Sequence, residues 1–348
     1  MKEELKDILG LSENEIKDFL EKNGEKSFRA KQVYEWLWKK TVGHFDDMTN
    51  LSKELRGLLS EHFFIQSVNI DQLQVSKDKT IKLVFRLFDK SLIEGVLIPT
   101  EDRATACISS QVGCNLGCHF CATGKLGLRR NLSIGEIYYQ VVEIMKLAKE
   151  KYNLPLTNIV LMGMGEPLLN YDNVMKAIAM ITSDKGLGMS PQRITLSTVG
   201  LPRMIKKLAD DNIKFNLAVS LHSANDSKRS EFMPVNDRNT LDMLRDALVY
   251  FNSKTGQRIT FEYLLMDGIN DSLKDAKDLA EYCKSFPVKI NIIEYNSTSD
   301  RRFKRSSSHN FDQFVTFLKS RNLVVNVRRS RGQDIDAACG QLAGRKKQ

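Results

Sequence analysis

Three cysteines are the residues of this chain whose types and spacing best suit a chemical reaction. Cys114, Cys118 and Cys121 lie within eight residues of a glycine-containing loop that follows a predicted strand. Thiolates at such spacing suit zinc or an iron–sulfur group. A structural zinc ion usually takes four ligands, and an ordinary [4Fe–4S] cluster takes four cysteines. Three cysteine ligands on such a cluster leave one iron open to a small molecule, as a catalytic cluster requires.

Two other interpretations of this loop remain open on spacing alone. The three thiols are also compatible with a zinc site, or with buried core cysteines that bind nothing. His119 lies between two of the thiols, but we expect its side chain to point away from them.

Two further cysteines lie in contexts that suit reactivity. Cys107 is on the predicted strand that leads into the cysteine loop, and Cys339 precedes Gly340 beyond the last predicted strand. A thiol beside a glycine can act as a mobile nucleophile that forms covalent adducts. Each cysteine taken alone is more often an inert buried thiol, and Cys283 has no context that suggests more.

Polar side chains recur where the later predicted strands end. In parallel α/β barrels the carboxyl ends of the strands build the site. Glycines at 163 and 165 would let the backbone approach a ligand closely, Glu166 could accept hydrogen bonds from an ammonium group, and the remaining side chains could bind ribose or carboxylate oxygens. The candidate ligand-binding residues are Gly165, Glu166, Ser197, Ser220, Leu221, His222 and Asn296.

Alternating strands and helices are predicted from residue 104 onward. Such alternation indicates right-handed βαβ units and a parallel sheet, closed as a full or partial barrel or else open and doubly wound. The predicted strands span 105–110, 158–163, 193–197, 215–221, 258–265, 289–295 and 323–328. The predicted helices begin near Ser133, Tyr171, Leu201, Thr240, Ser272 and Phe311.

The region before residue 100 has a different organisation. Residues 1–66 are predicted to form an N-terminal helical domain, with a capping box at Ser12 and Glu15. Residues 67–99 form a predicted β extension, in which alternating apolar and polar residues from Ile81 to Leu87 indicate a half-buried strand. Residues 100–348 would then form the barrel with a C-terminal catalytic segment.

Charge and composition indicate the partner class and the compartment. The chain has 348 residues with 52 Lys and Arg against 43 Asp and Glu, so its net charge of +9 favours a polyanion such as RNA. The start of the chain resembles no secretory signal, and no apolar run is long enough to span a bilayer. Six cysteines without an export signal suit the reducing cytoplasm. Basic residues cluster at 129–130, 301–305, 328–331 and 345–347.

The cysteine spacing, with Phe120 before the last thiol, resembles the radical-SAM superfamily. That resemblance implies a partial (β/α)6 barrel and a [4Fe–4S] cluster whose open iron chelates S-adenosylmethionine. Longer motifs narrow it: ACISSQVGCNLGCHFCATG, MGMGEPLLN, STVG, VSLH, MPVNDR and DIDAACGQL together are similar to the RlmN family of adenine-2 RNA methyltransferases. The similarity extends over essentially the whole chain.

The resemblance also implies a role for each candidate residue. The three clustered cysteines would hold the iron–sulfur group, and the strand-end residues would contact S-adenosylmethionine. Cys339 would carry a methyl group on sulfur, Cys107 would attack that sulfur and release the product through a transient disulfide, and Glu94 would accept a proton. Sequence alone would place Glu94 at the surface.

The implied substrates are an adenosine of 23S rRNA and an adenosine beside the anticodon of tRNA. The resemblance also implies two molecules of S-adenosylmethionine per turnover and an electron donor such as flavodoxin. We expect a monomer without membrane contact. Two alternatives are weighed against it. One is the related carbon-8 adenosine methyltransferase that confers antibiotic resistance, and the other is a zinc-bound, non-catalytic RNA-binding module.

Overall fold

The computed structural model describes residues 5–298 and 302–343. The basic tail at 345–347 and Arg301 lie outside the described residues. The helices are α1 Glu13–Lys22, α2 Phe28–Trp38, α3 Lys53–His62, α4 Ile134–Tyr152, α5 Tyr171–Thr182, α6 Pro202–Asp210, α7 Asp226–Phe232, α8 Leu241–Thr255, α9 Leu273–Tyr282 and α10 Ser308–Ser320.

The strands alternate with these helices only in the second part of the chain. They are β1 Lys6–Asp7, β2 Phe63–Phe64, β3 Asn69–Val75, β4 Ile81–Arg86, β5 Leu92–Pro99, β6 Ala104–Cys107, β7 Gln111–Cys114, β8 Gly127–Asn131, β9 Leu156–Leu161, β10 Ile194–Thr198, β11 Asn216–Ser220, β12 Ile259–Leu265, β13 Val288–Glu294 and β14 Val324–Arg328.

One ten-stranded sheet organises the molecule. Seven of its strands are parallel and follow one another in chain order, as β6, β9, β10, β11, β12, β13 and β14. A doubly wound sheet would reverse its strand order, so the sequential order supports the barrel-type prediction and excludes the open doubly wound alternative. The ladder continues from β6 into antiparallel β5, β4 and β3.

The N-terminal helices pack against the first barrel helix. The capping box at Ser12 and Glu15 opens α1 as expected, because both reciprocal hydrogen bonds form. The Tyr139 hydroxyl on α4 donates to the carbonyl oxygen of Leu37 at 2.9 Å, and the Tyr138 hydroxyl donates to that of Trp38. These buried contacts place the helical domain beside the β extension at the start of the barrel.

Strand β4 is buried on both faces, so the prediction of a half-buried strand was wrong. Its alternating polar residue Lys82 has 4% of its surface exposed. The chain after β14 covers the face that would otherwise meet solvent, since the Lys82 ammonium approaches the carbonyl oxygen of Asp336. Covering by a distant segment leaves no trace in the local pattern.

Residues 329–343, here called the strap, cross from the last parallel strand back to the β extension. Arg331 donates to the carbonyl oxygen of Pro99 at 3.1 Å, and the Gly332 amide donates to Asp78 at 2.9 Å. Asp334 accepts from the Ser76 hydroxyl at 2.5 Å. The strap therefore lies over one end of the sheet and carries residue 339 with it.

Strands β7 and β8 form a separate antiparallel hairpin that the pattern analysis missed. The hairpin pairs Cys114 with Gly127 and Gln111 with Asn131. Gly113, at φ +78°, permits this close pairing, because a Cβ there would lie 1.9 Å from the carbonyl oxygen of Gly127. The cysteine loop thus begins at the end of a short sheet of its own.

Candidate active site

A cavity at the carboxyl ends of the parallel strands contains all three clustered thiols. It has about 990 Å³ of atom-free space, its open mouth included. Such a volume is typical of sites for small ligands and cofactors. Its walls combine apolar side chains with Glu166, Ser197, Thr198, Ser220, His222 and Glu262.

The three thiols face this cavity from the loop that follows β7. Cys114 and Cys118 are buried, and Cys121 is half-buried. Burial raises the pKa of Cys114 to about 11 and raises that of Cys118 further, so a positive group must bind before these two thiols ionise at neutral pH. Phe120 packs against Phe232 and fixes the loop.

The three thiols line one cavity. Within residues 5–298 and 302–343, no group of three His, Cys, Asp or Glu side chains is arranged to hold a single metal ion. A four-iron cluster takes each thiolate on a different iron, and three cysteines would leave its fourth iron open to a ligand.

Glu166 is held with its carboxylate inside the molecule. One oxygen accepts from the Leu168 amide at 3.1 Å, and the other accepts from the Val199 amide at 2.9 Å. Burial raises its pKa to about 7, although these hydrogen bonds oppose the shift. A carboxylate so placed at the cavity wall suits an ammonium partner, which would lower that pKa again.

His222 faces the cavity as a neutral imidazole. Its Nδ1 accepts from the Leu264 amide at 3.0 Å, which leaves the proton on Nε2. Burial, with a smaller contribution from the Arg229 charge, lowers its pKa to about 3. The backbone of His222 adopts φ +56°, and Asn270 stabilises this by donating to its carbonyl oxygen at 2.6 Å.

The other strand-end residues are placed unequally. The hydroxyls of Ser197 and Ser220 lie 3.5 Å apart at the cavity wall. Leu221 is fully buried and is not among the lining residues, so its side chain is part of the core. Its carbonyl oxygen accepts from Arg229 at 3.0 Å.

Asn296, which follows β13, is not among the residues that line this cavity. Its side chain is 96% buried, and neither atom of its amide group has a hydrogen-bond partner in the described part of the chain. An amide left unsatisfied in the interior costs about 1–3 kcal/mol.

The glycines that precede Glu166 have a different role from the expected one. A Cβ at Gly163 would lie 2.7 Å from the carbonyl of Ile108, and one at Gly165 would lie 2.5 Å from Gln111. Close packing against the chain between β6 and β7 therefore requires both glycines. Both still line the cavity, but protein occupies the space where a side chain would be.

A second cavity of about 1210 Å³, mouth included, adjoins the first under the strap. Cys339 and Cys121 line both cavities, and Cys107 lines the second alone. Its apolar floor comes from β5, β9 and β13, while its rim carries Arg328, Arg329, Ser330 and Arg331. The two cavities therefore meet at Cys339.

The two isolated thiols differ in their surroundings. Cys339 is exposed, although nearby protein still raises its pKa through desolvation. Cys107 is buried, and burial followed by the neighbouring Cys339 raises its pKa to about 12. Both thiols line the second cavity, and both are free thiols here.

Glu94 is buried, so the expectation of a surface carboxylate was wrong. One oxygen lies 3.6 Å from the Lys82 ammonium, and the other accepts from the Ala343 amide at 2.9 Å. The strap, which covers β4 and β5, buries both charges. Glu94 thus holds the far end of the strap in this conformation and does not line either cavity.

Arg229 is a buried residue that sequence patterns did not indicate. Its guanidinium is fully buried and donates to Leu221, Asn236, Val199 and Ser220, all of them neutral acceptors. Three of these acceptors are backbone carbonyls at the ends of β10 and β11. Arg229, in helix α7, therefore fixes the ends of β10 and β11 beside the thiols.

Comparison with known proteins agrees with this geometry. Residues 6–65 match the model of the ribosomal RNA large subunit methyltransferase N-terminal domain, and residues 108–282 match that of the radical SAM superfamily. No helix in the described residues is long and apolar enough to cross a membrane.

Relatives cover nearly the entire chain. A protein of Cytophaga hutchinsonii named "Probable dual-specificity RNA methyltransferase RlmN" is 56% identical over 97% of this chain and 92% of its own length. One of the same name from Flavobacterium johnsoniae is 52% identical over 99% of both chains. The crystal structure of a radical SAM methyltransferase from Sphaerobacter thermophilus, 39% identical, superposes with a TM-score of 0.92 over 98% of this chain and 100% of that one. With its thiols, sheet and strap arranged as described, the chain belongs to the RlmN family of radical SAM methyltransferases.

Proposed function

We propose that this protein methylates carbon 2 of adenosine in 23S rRNA and in tRNA through a methyl group carried on Cys339. The position of Cys339 at the junction of the two cavities is the observation that best supports the proposal. One cavity suits a cluster and S-adenosylmethionine, and the other suits a nucleotide. The relatives' name, "Probable dual-specificity RNA methyltransferase RlmN", supports RNA as the substrate.

The first cavity holds the radical-forming groups. Cys114, Cys118 and Cys121 would ligate the [4Fe–4S] cluster, and Glu166, Ser197, Ser220, His222 and Asn296 would contact S-adenosylmethionine. When bound, the pair supplies reductive cleavage of the sulfonium to a 5′-deoxyadenosyl radical. The neutral His222 contributes a donor without adding a positive charge beside the sulfonium.

Carbon 2 of adenine is electron-poor and not nucleophilic, so it cannot attack the methyl group of a sulfonium directly. The proposal therefore uses two molecules of S-adenosylmethionine per turnover. The Cys339 sulfur takes a methyl group from the first, and that methyl group loses a hydrogen atom in the reaction with the second. The resulting carbon radical, still attached to Cys339, adds to the base.

Release of the product requires the second thiol. The adduct radical first loses the carbon-2 proton and one electron, which the oxidised cluster would accept. The Cys107 thiolate then attacks the Cys339 sulfur, the bond from that sulfur to the methylene breaks, and the methylene carbon takes up a proton, which leaves a disulfide and the methylated base. The high pKa of Cys107, about 12, means that this step needs a base or a rearranged strap. In the proposal Glu94 accepts the proton from carbon 2, after the Ala343 amide that it now binds has moved away.

The arginines at the rim of the second cavity suit the RNA backbone. Arg328 ends the last parallel strand, Arg329 and Arg331 follow it, and guanidinium groups pair well with phosphate. The target adenosine would leave its stack to reach the apolar floor. A loop or hinge in the RNA, such as the peptidyl-transferase region or the anticodon loop, makes this extrusion less costly.

The proposal is tested with anaerobically purified protein. We expect iron and sulfide at four each per chain, reductive cleavage of S-adenosylmethionine, and 2-methyladenosine in 23S rRNA and tRNA by mass mapping. Cys339→Ala should keep the cluster and transfer no methyl group, whereas Cys283→Ala, at a buried cysteine outside both cavities, should behave as wild type.

Each competing function predicts a different result. If 8-methyladenosine is the sole product, the protein is the carbon-8 methyltransferase. A colourless protein with zinc and no iron would support the non-catalytic RNA-binding module. RNA methylation by Cys339→Ala would disprove the methyl-carrier mechanism even if the cluster is present.

A further inference from the structure

Glu262 is a buried carboxylate in the wall of the first cavity to which the proposed chemistry assigns no role. One of its oxygens, Oε1, accepts from the Asn291 side-chain amide at 2.7 Å. The other, Oε2, accepts no hydrogen bond within the described part of the chain. A buried acceptor without a donor costs about 1–3 kcal/mol. The cavity therefore offers this free oxygen to a group that enters it.

A row of polar side chains across three neighbouring strands holds the carboxylate in place. Glu262 on β12 is in register with Asn291 on β13, and Asn291 is in register with Asn326 on β14. The Asn326 side-chain amide donates to the side-chain oxygen of Asn291 at 3.3 Å. The row fixes Oε1 of Glu262 and leaves Oε2 available to the cavity.

Glu262 and Arg328 form an ion pair that spans the junction of the two cavities. Glu262 lines the first cavity, Arg328 lines the second, and Nη1 of Arg328 lies 3.6 Å from Oε2. Cys339 lines both, so its thiol shares one cavity with the anion and the other with the cation. Burial raises the pKa of Cys339, the Arg328 charge lowers it and the Glu262 charge raises it.

The other candidate proton acceptors in the two cavities are already engaged. Both oxygens of Glu166 accept backbone amides, and the neutral His222 carries its proton on Nε2. Cys107, with a pKa of about 12, keeps its own proton at neutral pH. No other Asp, Glu or His among residues 5–298 and 302–343 lines either cavity. Glu262 is therefore the lining carboxylate with an oxygen free to take a proton.

The surroundings of Glu262 adjust its strength as a base. Burial raises the pKa of its carboxyl group, while the Arg328 and Lys289 charges and the Asn291 amide oppose that rise. Strand β11 contributes the uncharged Ser220, which is in register with Glu262. A raised carboxyl pKa lies closer to that of a thiol, which makes proton transfer between the two groups less costly.

We propose that Glu262 is the base that takes the proton of Cys339 when this thiol acquires its methyl group, an inference that rests on the proposed function. A thiolate is the reactive nucleophile, so the thiol must lose its proton. The S–H bond of Cys339 breaks, and the proton passes to Oε2 of Glu262. The Cys339 sulfur bonds to the methyl carbon of S-adenosylmethionine, the bond from that carbon to the sulfonium breaks, and its electron pair leaves with S-adenosylhomocysteine. Glu262 then releases the proton to water.

The test follows methylation of Cys339 with S-adenosylmethionine in the absence of reductant and RNA. It uses cluster-containing protein whose Cys339 peptide, by mass, starts without a methyl group. Glu262→Gln keeps an acceptor for Asn291 but cannot take the proton. Glu294→Gln is the matched control, because Glu294 at the end of β13 pairs with Arg305 at 3.5 Å and lines neither cavity.

We expect methyl transfer in Glu262→Gln to be about 100-fold slower near pH 7, with the dissociation constant for S-adenosylmethionine unchanged. The deficit should shrink near pH 9.5, about one unit above the ordinary pKa of a thiol, where Cys339 ionises without a base. Without S-adenosylmethionine, the pH midpoint for alkylation of Cys339 by iodoacetamide should move to lower pH, because a neighbouring negative charge is gone. Glu294→Gln should match wild type in each measurement.

Glu262→Ala provides a second test that does not depend on how glutamine is accommodated. Added formate should restore methyl transfer in a concentration-dependent manner, because its carboxylate can take the proton in the vacated space, whereas chloride should not.

Four results would overturn the assignment of Glu262. They are methyl transfer in Glu262→Gln within about twofold of wild type, an undiminished deficit near pH 9.5, an unchanged alkylation midpoint, and no restoration by formate. Absence of Cys339 methylation in the wild type would instead refute the proposed function, so the two failures are distinguishable.

Discussion

The two adjoining cavities are built in different ways. The cluster cavity takes its thiols from one loop of eight residues, locked by the β7–β8 hairpin and by Phe120 against Phe232. The second cavity brings Cys107 and Cys339 together from positions 232 residues apart, and the strap supplies its roof. Local structure thus holds the proposed cluster ligands, whereas a segment fastened by separate hydrogen bonds carries Cys339, the proposed methyl carrier.

The two cavities would therefore carry out different parts of the proposed chemistry. A cluster needs fixed ligands, because a shift of one thiolate changes the metal centre. A thiol that takes a methyl group from one cavity and presents it to the other benefits from a segment that can move. Substitutions in the two regions should therefore produce separable defects.

The largest expected effect contrasts Cys118→Ala with Cys107→Ala. The first should lose the iron–sulfur absorbance and all cleavage of S-adenosylmethionine, because a buried cluster ligand is removed. The second should keep both and stop after addition, leaving RNA covalently joined to Cys339. Absorbance, cleavage assays and denaturing gels measure these outcomes. A Cys107→Ala protein without cluster would refute the separation.

Arg229→Met tests the fixed character of the first cavity. The substitution removes the donor to Val199, Ser220 and Asn236, whereas the Leu221 carbonyl oxygen keeps the Ser223 amide, so the free energy of unfolding of the cluster-free protein should fall by roughly 3 kcal/mol. The KM for S-adenosylmethionine should rise, because the ends of β10 and β11 lose their link. Exposed Arg203→Met is the control, and denaturant titration gives the result. A change below about 1 kcal/mol would contradict the prediction.

His222→Gln tests the electrostatics of the same cavity. The folded protein keeps this imidazole neutral down to about pH 3, while an unfolded chain protonates it below about pH 6.5, so its contribution to stability is lost as pH falls through 6.5. Glu166 has a raised pKa of about 7, so its protonation stabilises the folded state as the pH falls from 7 to 4.5, in both wild type and variant. When the pH is lowered from 7.5 to 5, the free energy of unfolding of the variant should rise by about 2 kcal/mol relative to that of wild type.

Denaturant titrations of both proteins at these two pH values measure that difference. Equal pH dependence in wild type and variant would show that the imidazole is already protonated in the folded state.

The smallest effect is expected from Thr123→Val, which loosens the strap. The Thr123 hydroxyl donates to the carbonyl oxygen of Leu342 at 2.6 Å. Its loss should lower stability by about 1 kcal/mol and slow RNA methylation more than cleavage of S-adenosylmethionine. Thr195→Val on β10 is the isosteric control. Equal slowing of both reactions would argue against a separate role for the strap.

Local signals predicted the elements well. Capping boxes at Ser12, Ser133 and Ser272 open helices where expected, because their hydrogen bonds form within four residues. All seven predicted parallel strands are present within a few residues of their expected ends. The β7–β8 hairpin was missed because its strands are short and interrupted by glycine.

Errors arose where distant segments meet. Lys82 and Glu94 read as solvent-facing, yet the strap buries both. Leu221 read as a ligand contact, but its side chain is in the core and only its carbonyl reaches Arg229. Arg229 had no pattern at all, because its acceptors come from three different elements.

The sequence by itself determined the spacing of the three clustered cysteines, the strand–helix order and the family, since thiol spacing and hydrophobic periodicity are local properties of the chain. Only the tertiary structure decided that Cys339 joins two cavities, that Glu94 holds the strap and that the amide of Asn296 is left without a partner. Burial and pairing of these groups depend on segments that meet in space after hundreds of residues, and no local pattern encodes such a meeting.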